Sequence, residues 1–186
     1  MNHRTPLLSL AATLLLACAG AAHADATATT GIYAQYSRSG SDSKTNGYTI
    51  GVTKPIDWQR PLWGGQLGMY WDLYATKLDS DGFRGQDNHT WLFGLKPVFR
   101  LRFDEGRSPW FAEAGIGLSY TDVLYRSNAK AFSTRFNFGD HVGLGYTFGA
   151  QREHEVTLRF EHYSNGSIKK PNPGENYVQL RYAHAF

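Results

Sequence analysis

Residues 154–164 read HEVTLRFEHYS, and from position 156 to position 161 apolar and polar side chains alternate at every step. Successive side chains of a β-strand point to opposite faces, so this alternation predicts a strand with one apolar and one polar face. The apolar face carries Val156, Leu158 and Phe160, as is typical of a strand that faces lipid. His162 and Ser164 continue that face, which places an imidazole and a hydroxyl together on a surface expected to be apolar.

Similar alternating segments recur along the chain between turn signals, and they predict an all-β fold. The fourth segment shows the pattern most clearly, because Trp91 and Phe93 lie on one face while Lys96 and Arg100 lie on the other. The predicted strands cover 29–38, 46–55, 65–78, 89–103, 110–124, 132–148, 154–164 and 176–186. Together they predict an eight-stranded antiparallel transmembrane β-barrel.

The charged faces of these strands predict a narrow polar interior, because buried charges require partners of opposite sign. We expect the acids Asp72, Glu113 and Glu161 to pair there with Lys96, Arg100, Arg102, Arg159 and Arg181. The alternative is a soluble lipocalin-like barrel, in which the apolar faces point inward. The aromatic residues of the apolar faces, the terminal Phe186 and an N-terminal export signal favour the membrane barrel.

The first 24 residues have the features of an export signal. Arg4 is followed by the short apolar run 7–17 and by a small-residue cleavage site that ends at Ala24. We therefore expect a signal peptide, Met1–Ala24, and one mature domain, residues 25–186. Cys18 is the single cysteine of the chain, so the mature domain needs no thiol chemistry. The formal charge of +3 is small and scattered, so we expect no nucleic-acid partner.

The connections between the predicted strands alternate in length. Short turns are expected at 57–61, 104–108 and 149–153, and longer polar loops at 39–45, 79–88, 125–131 and 165–175. Outer-membrane barrels have short periplasmic turns and long extracellular loops. His162 and Ser164 therefore lie near the outer end of the seventh strand, at the depth of the lipopolysaccharide leaflet.

A serine beside a histidine is the minimal activated nucleophile, since the imidazole can take the proton of the hydroxyl. The placement of the pair on the lipid-facing surface predicts an enzyme whose substrate is a membrane lipid. The other histidines are too dispersed to predict a metal site.

The motif His162-Tyr163-Ser164-Asn165-Gly166, followed by KKPNPG at 169–174, resembles the lipid A 3-O-deacylase family, PagL. Further stretches extend the likeness: Tyr70-Trp71-Asp72, Pro97-Val98-Phe99, residues 111–117 (FAEAGIG) and residues 136–140 (FNFGD). The resemblance implies an enzyme of the bacterial outer membrane that hydrolyses the ester-linked acyl chain at position 3 of lipid A. It implies neither a metal nor an organic cofactor.

By the same resemblance, Ser164 is the nucleophile and His162 the general base. The oxyanion donors would be the Asn172 side chain and the backbone N–H of Ser167, a position that is often glycine in the family. Asn165 could orient the base or begin the loop, since asparagine suits turns. The resemblance leaves open whether the enzyme works as a homodimer.

The third member of the triad stays open among three residues. The family carries a glutamate on the last strand, but an ungapped alignment places Asn176 there. Counted back from Phe186, position 176 faces outward and Glu175 faces inward. Asn176 could orient His162 as a neutral member, or a bulge could turn Glu175 outward.

Asp140 is the third candidate, because it is an acid on an apolar, outward-facing row. The tight turn after the sixth strand makes it antiparallel to the seventh. Pairing Phe148 with Glu155 would bring Asp140 opposite Tyr163, between the histidine and the serine. Two other functions remain possible at this stage: a non-enzymatic barrel, and an acyltransferase that passes the acyl group to another acceptor.

Overall fold

The computed structural model describes residues 30–40, 42–81 and 87–186, and in these ranges the chain forms a closed barrel of eight strands. Each strand pairs antiparallel with the next, and the first pairs with the last. The predicted eight-stranded antiparallel barrel is confirmed. The strands are β1 Gly31–Ser39, β2 Asn46–Leu62, β3 Gly65–Asp81, β4 Asp87–Arg102, β5 Trp110–Thr121, β6 Phe136–Phe148, β7 His154–Ser164 and β8 Glu175–Ala185. The predicted signal peptide, Met1–Ala24, lies outside the described residues.

The prediction of a turn at residues 57–61 is wrong, because those residues belong to β2. The pairing of β2 with β3 shifts register between Ile56 and Gln59, so the strand absorbs the extra residues as a bulge. The reversal comes later, at Trp63 and Gly64, which have φ angles of 49° and 70°. The Asp and Pro residues of the segment indicated a break, but at an irregular point of a strand both are tolerated.

The loop between β5 and β6 is longer than expected, because β5 ends at Thr121 and β6 begins at Phe136. We call residues 122–135 the β5–β6 loop and residues 165–174 the β7–β8 loop. Both lie at the same end of the barrel, where β7 ends and β8 begins. The short turn before β5 contains one 3-10 turn, Asp104–Gly106, at the opposite end. No helix in the described ranges is long and apolar enough to cross a membrane.

The outer surface is apolar and the interior is polar, as the alternation predicts. Trp91, Phe93 and Leu95 are exposed on the outside of β4, whereas Lys96 and Arg100 are buried inside. Gly117 makes room for the interior cations, since a Cβ at this position would come within 2.2 Å of the Lys96 Cβ. The soluble alternative, with the apolar faces inward, is therefore wrong.

Asp72 is the centre of one interior ion network. Its carboxylate accepts hydrogen bonds from Tyr33 Oη at 2.6 Å, from Arg181 Nη2 at 3.0 Å and from Arg159 Nη1 at 3.2 Å. Arg159 also pairs with Glu113. Burying such charges costs several kcal/mol per ion unless partners and hydrogen bonds compensate, so this network has to form with the barrel.

The remaining predicted interior pairs form, with one exception. Lys96 pairs with Glu161, and Arg100 pairs with Glu113 at 2.8 Å. Arg102, which was expected to pair with an acid, instead donates to the backbone oxygen of Ser108 at 3.1 Å and to Thr147 Oγ1 at 3.0 Å. It lies at the end of β4, where the turn supplies carbonyl groups as acceptors.

Candidate active site

His162 and Ser164 project from the same outward face of β7, close to the end that carries the long loops. Both side chains are half-buried, whereas the intervening Tyr163 is buried in the interior. The rise of a strand puts the two α-carbons about 7 Å apart, a separation that the long imidazole side chain can bridge. The two side chains therefore share the outward face of β7 that the alternation predicts.

Asn176 is the hydrogen-bond partner of His162. The two residues are directly opposite each other in the β7–β8 ladder, and Asn176 Oδ1 lies 2.6 Å from His162 Nδ1. An amide oxygen only accepts, so this contact requires the ring proton on Nδ1. The lone pair of Nε2 is then free to act as a base.

Gly174 supports the other edge of the imidazole ring. A Cβ at this position would lie 2.6 Å from His162 Cε1, closer than real Cβ atoms approach, and 3.3 Å from Nε2. Gly174 also has a φ of 61°, a conformation that L-residues rarely adopt. The position therefore requires glycine for two reasons, and any larger residue would displace the base.

Asp140 lies directly opposite His162 on the other side, in the β6–β7 ladder. The expected register was one residue off, because Phe148 pairs with His154 and not with Glu155. The Asp140 carboxylate is exposed, and within the described part of the chain it makes no hydrogen bond or ion pair. It contributes a nearby negative charge and no orienting contact.

Glu175 faces the interior, so the alternative in which a bulge turns it outward does not occur in this structure. It pairs with Tyr163 across the ladder, with no register shift between β7 and β8. The side chain is buried, and its carboxylate accepts hydrogen bonds from Ser43 Oγ and Lys130 Nζ. Of the three candidates, Asn176 alone is hydrogen-bonded to the imidazole in the described part of the chain.

The β7–β8 loop presents hydrogen-bond donors next to Ser164. Asn172 Oδ1 accepts the backbone N–H of Asn165 at 3.0 Å. A backbone N–H can only donate, so this bond fixes the amide orientation and leaves the Nδ2 hydrogens of Asn172 available. The side chain is thus held ready to donate to an anionic oxygen.

Ser167 lies in the tight turn at the start of that loop. The Ile168 N–H donates to the Asn165 carbonyl at 3.1 Å, and both Gly166 and Ser167 have positive φ angles, 61° and 65°. Two successive positive φ angles define a type I′ turn. The Ser167 N–H is left without a partner among the described residues. The departure from glycine at this position keeps the N–H but places an L-residue in a strained conformation.

Asn165 anchors the loop and does not contact the base. It is buried, and its Nδ2 donates to Ser133 Oγ at 3.1 Å and to the Lys169 carbonyl at 2.8 Å. Ser133 belongs to the β5–β6 loop, which the sequence pattern did not connect with the site. No motif marks that loop, so its role is visible only in three dimensions.

Phe138 flanks the hydroxyl on the outer surface. It is paired with Ser164 in the β6–β7 ladder, and its ring packs edge-to-face on Phe136 at 5.7 Å between centroids. The site therefore combines an imidazole held at Nδ1, the Ser164 hydroxyl, two donors and an aromatic surface. This combination suits nucleophilic acyl transfer. Within the described ranges, no three His, Cys, Asp or Glu side chains are grouped to hold a metal ion.

Comparison with known proteins agrees with this chemistry. Residues 46–185 match the family model described as lipid A 3-O-deacylase (PagL). The chain is 34% identical to the lipid A deacylase PagL of Bordetella bronchiseptica over 140 residues, which cover 74% of this chain and 75% of the relative. It is 31% identical to the lipid A deacylase PagL of Pseudomonas aeruginosa over 185 residues, 98% of both chains.

One solved structure supports the same family, and a second shares only the fold. The crystal structure of the outer membrane enzyme PagL superposes with a TM-score of 0.71 at 26% identity and covers 84% of this chain and 99% of that one. The Neisserial surface protein NspA superposes with a TM-score of 0.50 at 11% identity, over 87% of this chain and 98% of that one. The second likeness shows the barrel fold alone.

Proposed function

This chain belongs to the PagL family of lipid A 3-O-deacylases, and we propose that Ser164 and His162 on its outer wall carry out that hydrolysis. The protein is an outer-membrane β-barrel enzyme, and it removes the acyl chain esterified at position 3 of lipid A. The observation that carries the residue assignment is the outward face shared by Ser164, His162 and Asn176, with the 2.6 Å contact between the last two.

The first half of the proposed reaction forms an acyl-enzyme. Ser164 Oγ attacks the carbonyl carbon of the ester while His162 Nε2 takes the hydroxyl proton. Negative charge develops on the carbonyl oxygen, where the Asn172 amide and the Ser167 N–H donate hydrogen bonds. When the intermediate collapses, the bond to the sugar oxygen breaks, and His162 returns the proton to that oxygen.

The second half releases the fatty acid. His162 Nε2 takes a proton from water as the water oxygen attacks the acyl-serine carbonyl. The bond to Ser164 Oγ then breaks and the proton returns to the serine. Asn176 keeps the proton of Nδ1 in place throughout and stabilises the imidazolium that forms in each step.

Phe136 and Phe138 are proposed to contact the acyl chain. Both rings lie on the lipid-facing surface of β6, and Phe138 is paired with the nucleophile. An aromatic surface beside the attacked carbonyl would bury the first methylene groups, and each buried methylene contributes about 0.8 kcal/mol.

The decisive experiment compares lipid A from cells that express the wild type, Ser164→Ala or His162→Ala. Mass spectrometry is expected to show loss of one 3-linked acyl chain with the wild type and unmodified lipid A with both variants. Ser108→Ala, at the opposite end of the barrel, is the matched control and should retain activity. Heat-dependent mobility on gels checks that each barrel is folded.

Each alternative has its own outcome in that experiment. Unmodified lipid A with the folded wild type would indicate a non-enzymatic barrel. Loss of the 3-linked chain together with a new acyl group on another acceptor would indicate an acyltransferase. Full activity of Ser164→Ala would overturn the nucleophile assignment.

The sequence leaves open whether two barrels associate into a homodimer, and sedimentation of the detergent-solubilised enzyme tests this. A mass of two chains would support the homodimer, and a mass of one chain across the accessible concentration range would refute it.

A further inference from the structure

Glu175 connects the interior of the barrel with the outward-facing site. It directly precedes Asn176, and its side chain is 1% exposed inside the barrel mouth. The carboxylate accepts hydrogen bonds from Ser43 Oγ, from Tyr125 Oη at 3.3 Å and from Lys130 Nζ at 3.2 Å. The backbone N–H of Asn176 also lies 3.1 Å from Glu175 Oε1. The backbone of Asn176, the proposed orienting residue, is therefore held in place by the contacts of Glu175 inside the barrel.

Lys130 joins this cluster to the base itself. Its Nζ donates to the Gly174 carbonyl at 2.7 Å as well as to Glu175. Gly174 is the residue whose backbone packs against His162 Cε1. One ammonium group thus holds both residues that precede Asn176, and Gly174 in turn supports the imidazole ring.

Tyr125 fixes the same cluster from the β5–β6 loop. Burial raises the pKa of the Tyr125 phenol above its usual value, so the group remains a hydrogen-bond donor. Its hydroxyl also contacts Thr45 Oγ1 at 2.6 Å, which ties in the loop between β1 and β2. The hydrogen bond between Tyr125 and Thr45 therefore helps to hold Glu175, and with it Lys130, in place.

Ser133 makes the corresponding contact at the other end of the β7–β8 loop. It accepts from Asn165 Nδ2 at 3.1 Å and donates to the Lys169 carbonyl at 3.0 Å. Asn165 in turn holds Asn172, one of the proposed oxyanion donors. The β5–β6 loop therefore contacts the β7–β8 loop at both ends, once behind the base and once behind the oxyanion donors.

We propose that Lys130 is a positioning residue for deacylation, and that with Glu175 it holds Gly174 and Asn176 so that the His162 ring faces Ser164. The inference rests on the proposed function of His162 and Ser164. Within the described ranges, Lys130 makes no hydrogen bond with the ring or the serine, so it acts through the backbone that supports them. Small displacements of a base are costly, because a shift of about 1 Å can lower a rate about 100-fold.

The test measures kcat and KM for release of the acyl chain from lipid A in mixed detergent micelles. Lys130→Met removes the ammonium group while keeping the length of the side chain. We expect kcat to fall about tenfold with little change in KM. Lys130→Arg, which can still donate to both acceptors, is expected to recover most of kcat. Lys44→Met, at an exposed position of the β1–β2 loop, is the charge-matched control and should resemble the wild type.

The outcomes separate positioning from other roles of a cation. A wild-type kcat in folded Lys130→Met would overturn the inference, and so would a rise in KM at constant kcat, which indicates a direct contact with substrate phosphate. An equal loss in Lys44→Met would also overturn it, because loop charge in general would then matter. If Lys130→Met does not reach the folded form, Glu175→Gln is the second test, because it weakens the contact of Glu175 with the same ammonium group. We expect it to lower kcat about threefold, and a wild-type kcat in this variant would overturn the inference.

Failure of the proposed function would look different. Ser164→Ala measured in the same assay reports on the nucleophile alone. Residual activity of Ser164→Ala would refute the nucleophile, whereas an inactive Ser164→Ala beside a fully active Lys130→Met would refute only the positioning role.

Discussion

Asn176 gives the sharpest prediction, because it is the single described side chain that hydrogen-bonds the proposed base. Asn176→Ala removes an acceptor that lies 2.6 Å from His162 Nδ1. In the ground state this is a neutral hydrogen bond, but during the attack by Ser164 the ring becomes an imidazolium. Hydrogen bonds to charged groups contribute about 1.5–3 kcal/mol. A loss of about 2 kcal/mol from the transition state lowers kcat roughly 30-fold.

Asp140 provides the comparison from the strand ladder on the other side of His162. It lies opposite His162 on β6, as Asn176 does on β8, but its carboxylate is exposed and makes no hydrogen bond in the described ranges. An exposed charge near an imidazolium contributes at most about 1 kcal/mol, so Asp140→Ala should lower kcat about fivefold or less.

Both variants are measured on lipid A in mixed micelles, by mass spectrometric quantification of the released fatty acid. Val178→Ala is the control, since it shortens the next outward side chain on β8. Its kcat is expected to stay within about twofold of the wild type. A larger loss in Asp140→Ala than in Asn176→Ala would refute the assignment of Asn176 as the orienting residue. So would a wild-type kcat in Asn176→Ala.

Two further predictions concern stability, measured as the free energy of unfolding of the barrel in urea with lipid bilayers present. Ser167→Gly should stabilise the protein by about 0.5–1 kcal/mol, because glycine adopts the positive φ at this position without the strain of a Cβ; a lower stability would contradict the turn geometry. Lys96→Met should destabilise by about 3–5 kcal/mol, because it leaves the buried carboxylate of Glu161 unpaired. Adding Glu161→Gln should recover much of that loss, and equal stability of the single and double variants would show that the pair is not coupled.

The fold could be predicted because membrane strands show two local patterns: side chains alternate between apolar and polar, and polar connections separate the strands. Alternation at positions such as 156–161 reveals both the strand and its outward face, and the polar connections mark where strands end. The prediction failed where turn-forming residue types suggested the end of a strand that in fact continues. Residues 57–61 contain the turn-forming types Asp and Pro, yet the bulge keeps them within β2. Pairing with a neighbouring strand, which no local pattern encodes, decided the outcome.

For the candidate site, the sequence predicted which residues point outward, because side chains alternate between the two faces of a strand. Counting along β7 puts His162 and Ser164 on one face, and counting along β8 puts Asn176 outward and Glu175 inward. The exact partner of His162 depended on register, and an error of one residue at Phe148 misplaced Asp140. Lys130 and Ser133 could not be found, because they belong to the β5–β6 loop, which carries no motif and is distant in the chain from the β7–β8 loop that it contacts.

The ion networks that fill the barrel have a consequence for how the enzyme meets its substrate. With the lumen occupied by Asp72, Arg159 and their partners, the proposed site on the outer wall would be approached from within the lipid leaflet. Substrate molecules then arrive by lateral diffusion, and the frequency of encounters depends on their number per unit area of membrane. Spreading the same amount of lipid A among inert lipids is expected to slow turnover, whereas adding buffer is expected to leave the rate unchanged. The rate is then expected to follow the surface concentration of lipid A in the membrane and not its bulk concentration.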